Sequence, residues 1–174
     1  MEDSLKIDCI EACSITGGRI FASCAPGKIE LEKDIVRNLE DDVKTISESG
    51  ISVVISLIED FEFDLLSISH FPELLELEHI QFIHYPIRDH FVPDNIDSFH
   101  KLIIMICELF LQGHSILVHC RGGVGRTGLV CASFLLHFGS NANEAIDTVR
   151  DRRERALRNP LQCEYLKRYE RLLR

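Results

Sequence analysis

A cysteine and an arginine six residues apart, Cys120 and Arg126, carry the chemistry that this sequence suggests most strongly. Gly122, Gly123 and Gly125 lie between them and allow a tight turn whose backbone N–H groups point inward. A helix that begins near Arg126 would direct its positive end toward the same hollow. The segment therefore predicts a cradle that binds a dianionic phosphate.

The cysteine supplies this cradle with a nucleophile. A thiol that faces a helix N-terminus and a guanidinium loses its proton readily, because both stabilise the thiolate. A thiolate attacks phosphorus and can carry the phosphoryl group as a covalent intermediate. Arg126 can chelate two equatorial phosphate oxygens with its planar guanidinium, which lysine could not do. We therefore predict a phosphocysteine intermediate on Cys120, with positioning and electrostatic stabilisation supplied by the loop.

Three other interpretations of the loop fit less well. A Walker loop requires glycine at position 120 and lysine at position 126, where this chain has cysteine and arginine. Residues 123–128 match the letters of a dinucleotide-binding turn, but no convincing ribose-binding acid follows on a next strand. The third interpretation is a glycine-rich turn around a buried, inert cysteine.

The elements around the loop determine where it lies. Residues 115–119 predict a short strand before it, and residues 126–138 predict an unusually apolar helix after it, which should lie in the core. Further strands are predicted at residues 19–22, 51–57 and 80–85. The other predicted helices cover residues 31–49, a looser stretch at 68–77, the span from a cap at Asp94 or Asn95 to residue 113, and residues 142–156 and 160–173.

This alternation of strands and helices predicts an α/β fold with a single domain over residues 1–174. We expect a central, mostly parallel sheet of four to five strands with helices on both faces. The phosphate-binding loop should lie between a strand and a buried helix.

The charge balance excludes two classes of partner. A formal net charge of −9 argues against a general binder of nucleic acid or membrane surfaces, because polyanions would be repelled. Phosphate recognition must therefore come from a local positive site. No apolar stretch is long enough to span a bilayer, so no membrane insertion is expected.

The cysteines indicate a reducing environment. There are seven of them, an odd number that is too small for a disulfide scaffold. They form no C-x-x-C pair and no zinc-like group with histidines, so no metal site is expected. Residues 1–8 carry acidic side chains and no apolar run, so no signal peptide is expected. We expect a cytoplasmic protein, with the nucleus left open.

With His119 before the cysteine and Thr127 after the arginine, the loop resembles the signature loop of the protein tyrosine and dual-specificity phosphatases. The resemblance implies that the hydroxyl of Thr127 stabilises the thiolate as a leaving group and that His119 tunes and orders the loop. A core histidine with satisfied hydrogen bonds is a compatible account of His119. The residues implied in binding the phosphoryl group are Arg121, Gly122, Gly123, Val124, Gly125 and Arg126.

Four further segments, at residues 24–27, 49–51, 86–89 and 145–150, look most like the kinase-associated phosphatase group. This resemblance implies a phosphoprotein substrate, with a protein kinase as one candidate. Arg121 and the Thr127-Gly128 pair differ from the loop of that group, which argues against a cyclin-dependent kinase as the substrate.

The leaving oxygen needs a proton, so a carboxylic acid should lie above the cradle. Members of the family place an aspartate after a strand upstream of the cysteine, and Asp89 fits this position. Asp94 is the alternative, but it follows a proline and precedes a helix, which suits an N-cap better. Asp89 would then act as the base on water. Gln162 resembles a residue that positions this water, although a glutamine on a helix surface is an equally good account.

The substrate is less well determined than the mechanism. The pattern predicts a shallow pocket that accepts phosphoserine and phosphothreonine as well as phosphotyrosine. Val124 stands where phosphoinositide phosphatases often carry lysine, which disfavours a highly phosphorylated inositol. A basic run follows, and it is more often a solvated, self-paired face than a docking patch for acidic phosphopeptides. Its members are Arg150, Arg152, Arg153, Arg155 and Arg158.

Three rival functions remain open. One is a phosphate-binding module without catalysis, and another is a phosphoinositide phosphatase with the same mechanism. The third is an arsenate reductase, for which the further cysteines Cys131 and Cys163 are poorly placed. Cys24 or Cys131 could protect Cys120 as a reversible disulfide. The phosphatase mechanism implies no metal and no organic cofactor, and the sequence does not fix the oligomeric state.

Overall fold

Four parallel strands and one antiparallel edge strand form a sheet at the centre of the molecule. The computed structural model describes residues 4–174. The strands in that range are β1 Asp8–Ala12, β2 Arg19–Ser23, β3 Ile29–Glu30, β4 Ile35–Val36, β5 Val53–Ser56, β6 Gln81–His84 and β7 Ser115–His119. The central sheet has the order β1-β2-β7-β5-β6, and β3 and β4 form a separate hairpin. The predicted, mostly parallel sheet is confirmed.

Helices cover both faces of this sheet. They are α1 Leu39–Glu48, α2 Asp60–Leu65, α3 Phe71–Leu77, α4 Ile96–Leu111, α5 Arg126–Leu136, α6 Ala142–Arg152 and α7 Pro160–Leu173. Every residue of β5 and β7 is buried, and successive strand residues face opposite sides, so neither face is open to solvent. Every residue of α5 is also buried, as its apolar composition predicts.

The predicted helix over residues 31–49 is wrong in its first part. Asp34 adopts a left-handed conformation with φ of 53°, and the chain then pairs back on itself as the β3–β4 hairpin. The side chain of Asn38 caps α1, which begins at Leu39. Apolar periodicity does not reveal this break, because Ile35 matches the helical face whether or not the helix reaches it.

Other boundaries also differ from the prediction. The edge strand β1 was not predicted, and neither was α2, which begins with a capping box formed by Glu59 and Glu62. Asn95 rather than Asp94 caps α4, and α6 ends at Arg152 rather than at residue 156. Elements as short as β1 and α2 carry too few periodic residues to be recognised in a sequence.

The parallel strands bring the predicted site together at their carboxyl ends. The glycine-rich loop follows β7, and the loop that contains Asp89 follows β6. The carboxyl ends of parallel strands are where open α/β sheets bind ligands. No helix within residues 4–174 is long and apolar enough to cross a membrane. The extent of the domain over residues 1–174 stays a prediction, since residues 1–3 lie outside the described part.

One arginine joins the edge strand β1 to the glycine-rich loop. Arg153, whose side chain is 12% exposed, pairs with Asp8 of β1. It also donates hydrogen bonds to the carbonyl oxygens of Ala22 at 3.2 Å and Gly123 at 2.7 Å. A planar guanidinium can serve acceptors in three directions at once, which a lysine ammonium on a flexible stem does less well.

We expect Arg153→Lys to lower the free energy of unfolding by about 1–3 kcal/mol, because at least one buried acceptor loses its donor. Urea denaturation measures this change. Arg152→Lys is the matched control, since Arg152 is exposed, and it should change stability by less than about 0.5 kcal/mol. Equal effects of the two substitutions would contradict the structural role of Arg153.

Candidate active site

The glycine-rich loop forms a cradle directly after β7. Cys120 is 3% exposed and lies at the bottom of this loop. The backbone N–H of Gly123 donates to its sulfur at 3.2 Å, a contact that stabilises a thiolate. Gly123 has φ of 69°, and a Cβ at this position would clash with the carbonyl oxygen of Ser23. Glycine is therefore required here, because β2 lies against the loop.

A buried ion pair fixes the arginine of the cradle. Arg126 is 1% exposed, and its guanidinium binds the carboxylate of Glu62 at 2.6 Å and 3.0 Å. It also donates to the carbonyl oxygens of Ile87 at 3.0 Å and Leu57 at 3.4 Å. Burial lowers the pKa of Arg126, but the hydrogen bonds and charge of Glu62 outweigh it and raise that pKa above its usual value. Its Nε is buried without a partner in residues 4–174, so a donor remains for an oxyanion.

Sequence reasoning missed Glu62. Its carboxylate accepts a hydrogen bond from the backbone N–H of Glu59 at 2.8 Å, as the other half of the capping box of α2. Glutamate is not a favoured N-cap residue, so the sequence gives no strong signal for this helix start. Nothing in the sequence indicates that the same carboxylate also binds an arginine far along the chain.

The structure brings Asp89 to the cradle and leaves Asp94 outside it. The Asp89 carboxylate lies 3.0 Å from a terminal nitrogen of Arg126 and accepts a hydrogen bond from the backbone N–H of His90 at 3.0 Å. Its side chain is 36% exposed and lines the cavity above Cys120. Asp94 is exposed and lies outside that lining.

The start of α7 holds the loop that carries Asp89. The side-chain amide N–H of Asn159 donates to the backbone carbonyl oxygen of His90 at 2.7 Å. The side-chain carbonyl oxygen of the same residue caps α7. Gln162 is 1% exposed and donates to the carbonyl oxygen of Phe91 at 3.0 Å. A Cβ at Gly125 would lie 2.9 Å from Oε1 of Gln162, so this amide packs against the cradle. The alternative of a surface glutamine is therefore wrong.

His119 and Thr127 lie beneath the cradle in the core. Both are completely buried, and the ring of His119 packs edge-on against Phe71 with centroids 5.6 Å apart. Burial lowers the pKa of His119 to about 3, so its ring is neutral at physiological pH. The Thr127 hydroxyl has no hydrogen-bond partner in the described part of the chain. Their proposed roles stay predictions.

The cavity above Cys120 is the local positive site that the net charge requires. Its volume is about 390 Å³, and six cationic and two acidic side chains line it. The cationic residues are Lys28, Lys33, Arg121, Arg126, Arg155 and Arg158; the acidic residues are Glu30 and Asp89. Gly122, Val124 and Gly125 complete the wall on the loop side.

The hairpin β3–β4 supplies one wall of this cavity through Glu30. This carboxylate binds Lys28 at 3.0 Å, Lys33 at 3.1 Å and Arg121 at 2.6 Å. Burial raises the pKa of Glu30, but hydrogen bonds from the three cations outweigh it and lower the pKa to about 2. Arg121 therefore lines the cavity with its guanidinium already bound to a carboxylate, and its contact with the phosphoryl group stays a prediction.

The candidate partners for a disulfide with Cys120 are both thiols of low acidity. Burial raises the pKa of Cys131 to about 12 and also raises the pKa of Cys24. A protonated thiol is a poor nucleophile, which disfavours either residue as a rapid resolving cysteine. Among residues 4–174, no three or more His, Cys, Asp or Glu side chains are grouped to hold a metal ion.

The chain matches known proteins in sequence. The family model described as "Dual specificity phosphatase, catalytic domain" matches residues 36–172. The chain is 31% identical to Cyclin-dependent kinase inhibitor 3 of Rattus norvegicus, over 77% of this chain and 64% of that protein. It is 30% identical to Phosphatidylglycerophosphate phosphatase PTPMT2 of Arabidopsis thaliana, over 75% of this chain and 56% of that protein. The matched part thus spans less than two thirds of the length of either relative.

The fold is also known from crystallography. A structure of kinase associated phosphatase, with its catalytic-site cysteine replaced by serine, matches with a TM-score of 0.89 at 23% identity. The match covers 99% of this chain and 98% of the other. At this identity the likeness shows a common fold.

We expect Glu62→Gln to lower the free energy of unfolding by about 3 kcal/mol, because the buried guanidinium loses its counter-charge. Urea denaturation at neutral pH measures this loss. Asp60→Asn is the control on the same helix, because the Asp60 side chain is 93% exposed. That substitution should cost less than about 1 kcal/mol. A loss no larger in Glu62→Gln than in the control would contradict the dependence of the site on this pair.

Proposed function

Since the chain belongs to the dual specificity phosphatase family, we propose that it is a cysteine-dependent phosphoric monoester hydrolase. Its proposed substrates are phosphotyrosine and phosphoserine or phosphothreonine in proteins. The position of Arg126 is the observation that supports this most. The guanidinium belongs to the loop of Cys120, is fixed by Glu62, and lies 3.0 Å from Asp89. A nucleophile, a phosphate-binding cation and an acid therefore face one cavity.

The first step transfers the phosphoryl group to the protein. The phosphate oxygens bind the N–H groups of residues 121–126 and the guanidinium of Arg126, at the positive end of α5. The Cys120 thiolate attacks phosphorus, so a sulfur–phosphorus bond forms while the ester phosphorus–oxygen bond breaks. Asp89, displaced from Arg126 by the phosphate and protonated from solvent, gives that proton to the departing oxygen.

The second step releases phosphate. Asp89 takes a proton from a water molecule, the water oxygen attacks phosphorus, and the sulfur–phosphorus bond breaks. The hydroxyl of Thr127 stabilises the departing thiolate. Gln162 uses its amide N–H group to hold the loop of Asp89, and its free Oε1 is available to orient the water. No metal or organic cofactor takes part in this scheme.

A protein kinase is one candidate phosphoprotein partner. The rat relative is named as an inhibitor of a cyclin-dependent kinase, and the fold matches a kinase associated phosphatase. Arg121 and the Thr127-Gly128 pair differ from that group, so the proposal extends to phosphoproteins in general. The Arabidopsis relative, named for a lipid substrate, favours a phospholipid phosphate as the second candidate.

Hydrolysis of p-nitrophenyl phosphate and of phosphotyrosine and phosphothreonine peptides tests the proposal. Cys120→Ser should abolish turnover and retain tungstate binding, because the cradle is intact. Asp89→Asn should lower kcat by about 10²- to 10³-fold for the phosphothreonine peptide, since its alkoxide leaving oxygen then departs without a proton. Asp94→Asn is the matched control and should keep full activity.

Other outcomes would favour the alternatives. Tungstate binding by the wild type without any turnover would mean a phosphate-binding module. Hydrolysis of phosphatidylglycerophosphate in vesicles, with both peptides untouched, would favour the lipid substrate. Turnover of phosphotyrosine peptides alone would contradict dual specificity.

A substitution at Asn159 tests whether its contact with His90 positions the loop of Asp89, because the capping of α7 can be kept while this contact is lost. In Asn159→Asp the cap of α7 is kept, because aspartate is also a favoured N-cap, but the carboxylate cannot donate to the His90 carbonyl oxygen. We expect kcat to fall about tenfold or more for an alkyl phosphate, and little for p-nitrophenyl phosphate, whose departing oxygen needs no proton. Urea denaturation should show unchanged stability. Equal losses for the two esters would contradict a role in positioning Asp89.

A further inference from the structure

Four arginines at the end of α6 and in the turn after it form two groups with different surroundings. Arg150 and Arg153 donate to backbone carbonyl oxygens and hold the chain in place. Arg155 and Arg158 are exposed and line the cavity above the nucleophile. The basic run of the sequence therefore contains two kinds of arginine, and only the second kind lines the cavity.

The turn between α6 and α7 is rigid where it presents these two side chains. Ala156 and Leu157 are completely buried, and the backbone N–H of Leu157 donates to the carbonyl oxygen of Val124 at 3.2 Å. Arg150 donates to the carbonyl oxygens of Ala156 at 3.2 Å and Leu157 at 2.7 Å. The turn packs so closely on α5 that a Cβ at Gly128 would lie 3.0 Å from Leu157. Its two exposed arginines are thus carried by a fixed backbone.

Arg155 and Arg158 differ from the other cations of the cavity in their partners. The lysines and Arg121 share the carboxylate of Glu30, and Arg126 binds Glu62. No carboxylate in residues 4–174 pairs with Arg155 or Arg158, and Arg158 donates to one backbone carbonyl oxygen. Two positive charges of the cavity therefore lack an internal counter-ion.

Arg158 adjoins the residue that holds the loop of Asp89, and Arg155 lines the same cavity. Arg158 immediately precedes Asn159, whose side chain binds the loop of Asp89. The proton donor faces the ester oxygen, so the part of the substrate beyond that oxygen extends past Asp89. An anion located there belongs to the rest of the substrate and is distinct from the phosphate that is cleaved.

We propose that Arg155 and Arg158 form a second anion subsite for an acidic or phosphorylated residue next to the phosphorylated residue of a substrate peptide. The subsite deepens the proposed function and rests on it. It makes the enzyme selective for phosphorylated residues in acidic or multiply phosphorylated sequences. A peptide fits better than an anionic membrane, because the net charge of −9 repels such a surface, while a peptide can enter the positive cavity.

Two phosphothreonine peptides test the subsite, one with glutamates beside the phosphothreonine and one with glutamines in their place. The wild type should hydrolyse the acidic peptide with a kcat/KM about tenfold higher. The double variant Arg155→Gln/Arg158→Gln should reduce this ratio to about twofold or less, and added salt should reduce it in the wild type. The rate with p-nitrophenyl phosphate, which carries no second anion, should fall by a smaller factor in the double variant than the rate with the acidic peptide.

Arg152→Gln is the matched control, because Arg152 is exposed on the same segment but lies outside the cavity lining. It changes the net charge without touching the subsite and should leave the ratio intact. A wild-type ratio near one, or a ratio that survives in the double variant or falls equally in the control, would overturn the subsite. The subsite as proposed is also wrong if the double variant loses activity only on anionic lipid vesicles.

The test also distinguishes a failure of the subsite from a failure of the proposed function. If the wild type does not hydrolyse p-nitrophenyl phosphate, the enzymatic proposal fails. The affinities of the two peptides for the Cys120→Ser protein, measured by fluorescence anisotropy, then test the subsite alone. The same tenfold preference, lost on adding Arg155→Gln and Arg158→Gln, would support it, and equal affinities would overturn it.

Discussion

The active-site half of this molecule depends on one buried ion pair, that of Arg126 with Glu62. Removing two charges from water costs several kcal/mol for each ion, so such a pair persists only with good geometry and additional hydrogen bonds. Here the geometry is bidentate, and two backbone carbonyl oxygens add to it. The guanidinium is thereby positioned by α2, by the end of β5 and by the loop after β6. These three parts of the chain meet only when the sheet is complete.

The cradle could be predicted from the sequence because its chemistry is local. Cys120 and Arg126 lie within one loop, and the flanking strand and helix are marked by long apolar runs. The buried pair could not be predicted in the same way. Glu62 lies 64 residues before Arg126 and is one of 28 acidic residues, so no pattern singles it out. Its importance comes from a three-dimensional contact that hydrophobic periodicity does not encode.

The rest of the site shows the same division between local and distant signals. The position of Asp89 after a strand favours it over Asp94, and of these two only Asp89 lines the cavity. The amides of α7 were harder to interpret, because a glutamine on an amphipathic helix gives no sign that it is buried. Apolar periodicity assigns the hairpin β3–β4 to a helix, so the sequence does not indicate that cations cluster around Glu30. In both cases the deciding contacts join elements that are distant in the chain.

The resting contact between Asp89 and Arg126 affects how tightly anions bind to the cradle and how readily they leave it. The carboxylate lies 3.0 Å from the guanidinium, so an internal anion already occupies part of the position that an incoming anion needs. Any ligand binds with the free energy of its own contacts less that of the contact it displaces. The protein thus carries its own weak competitor, tethered by a short loop and always present at high local concentration. Common small anions bind less tightly against such a competitor, and a product anion leaves more readily because the carboxylate returns to its place.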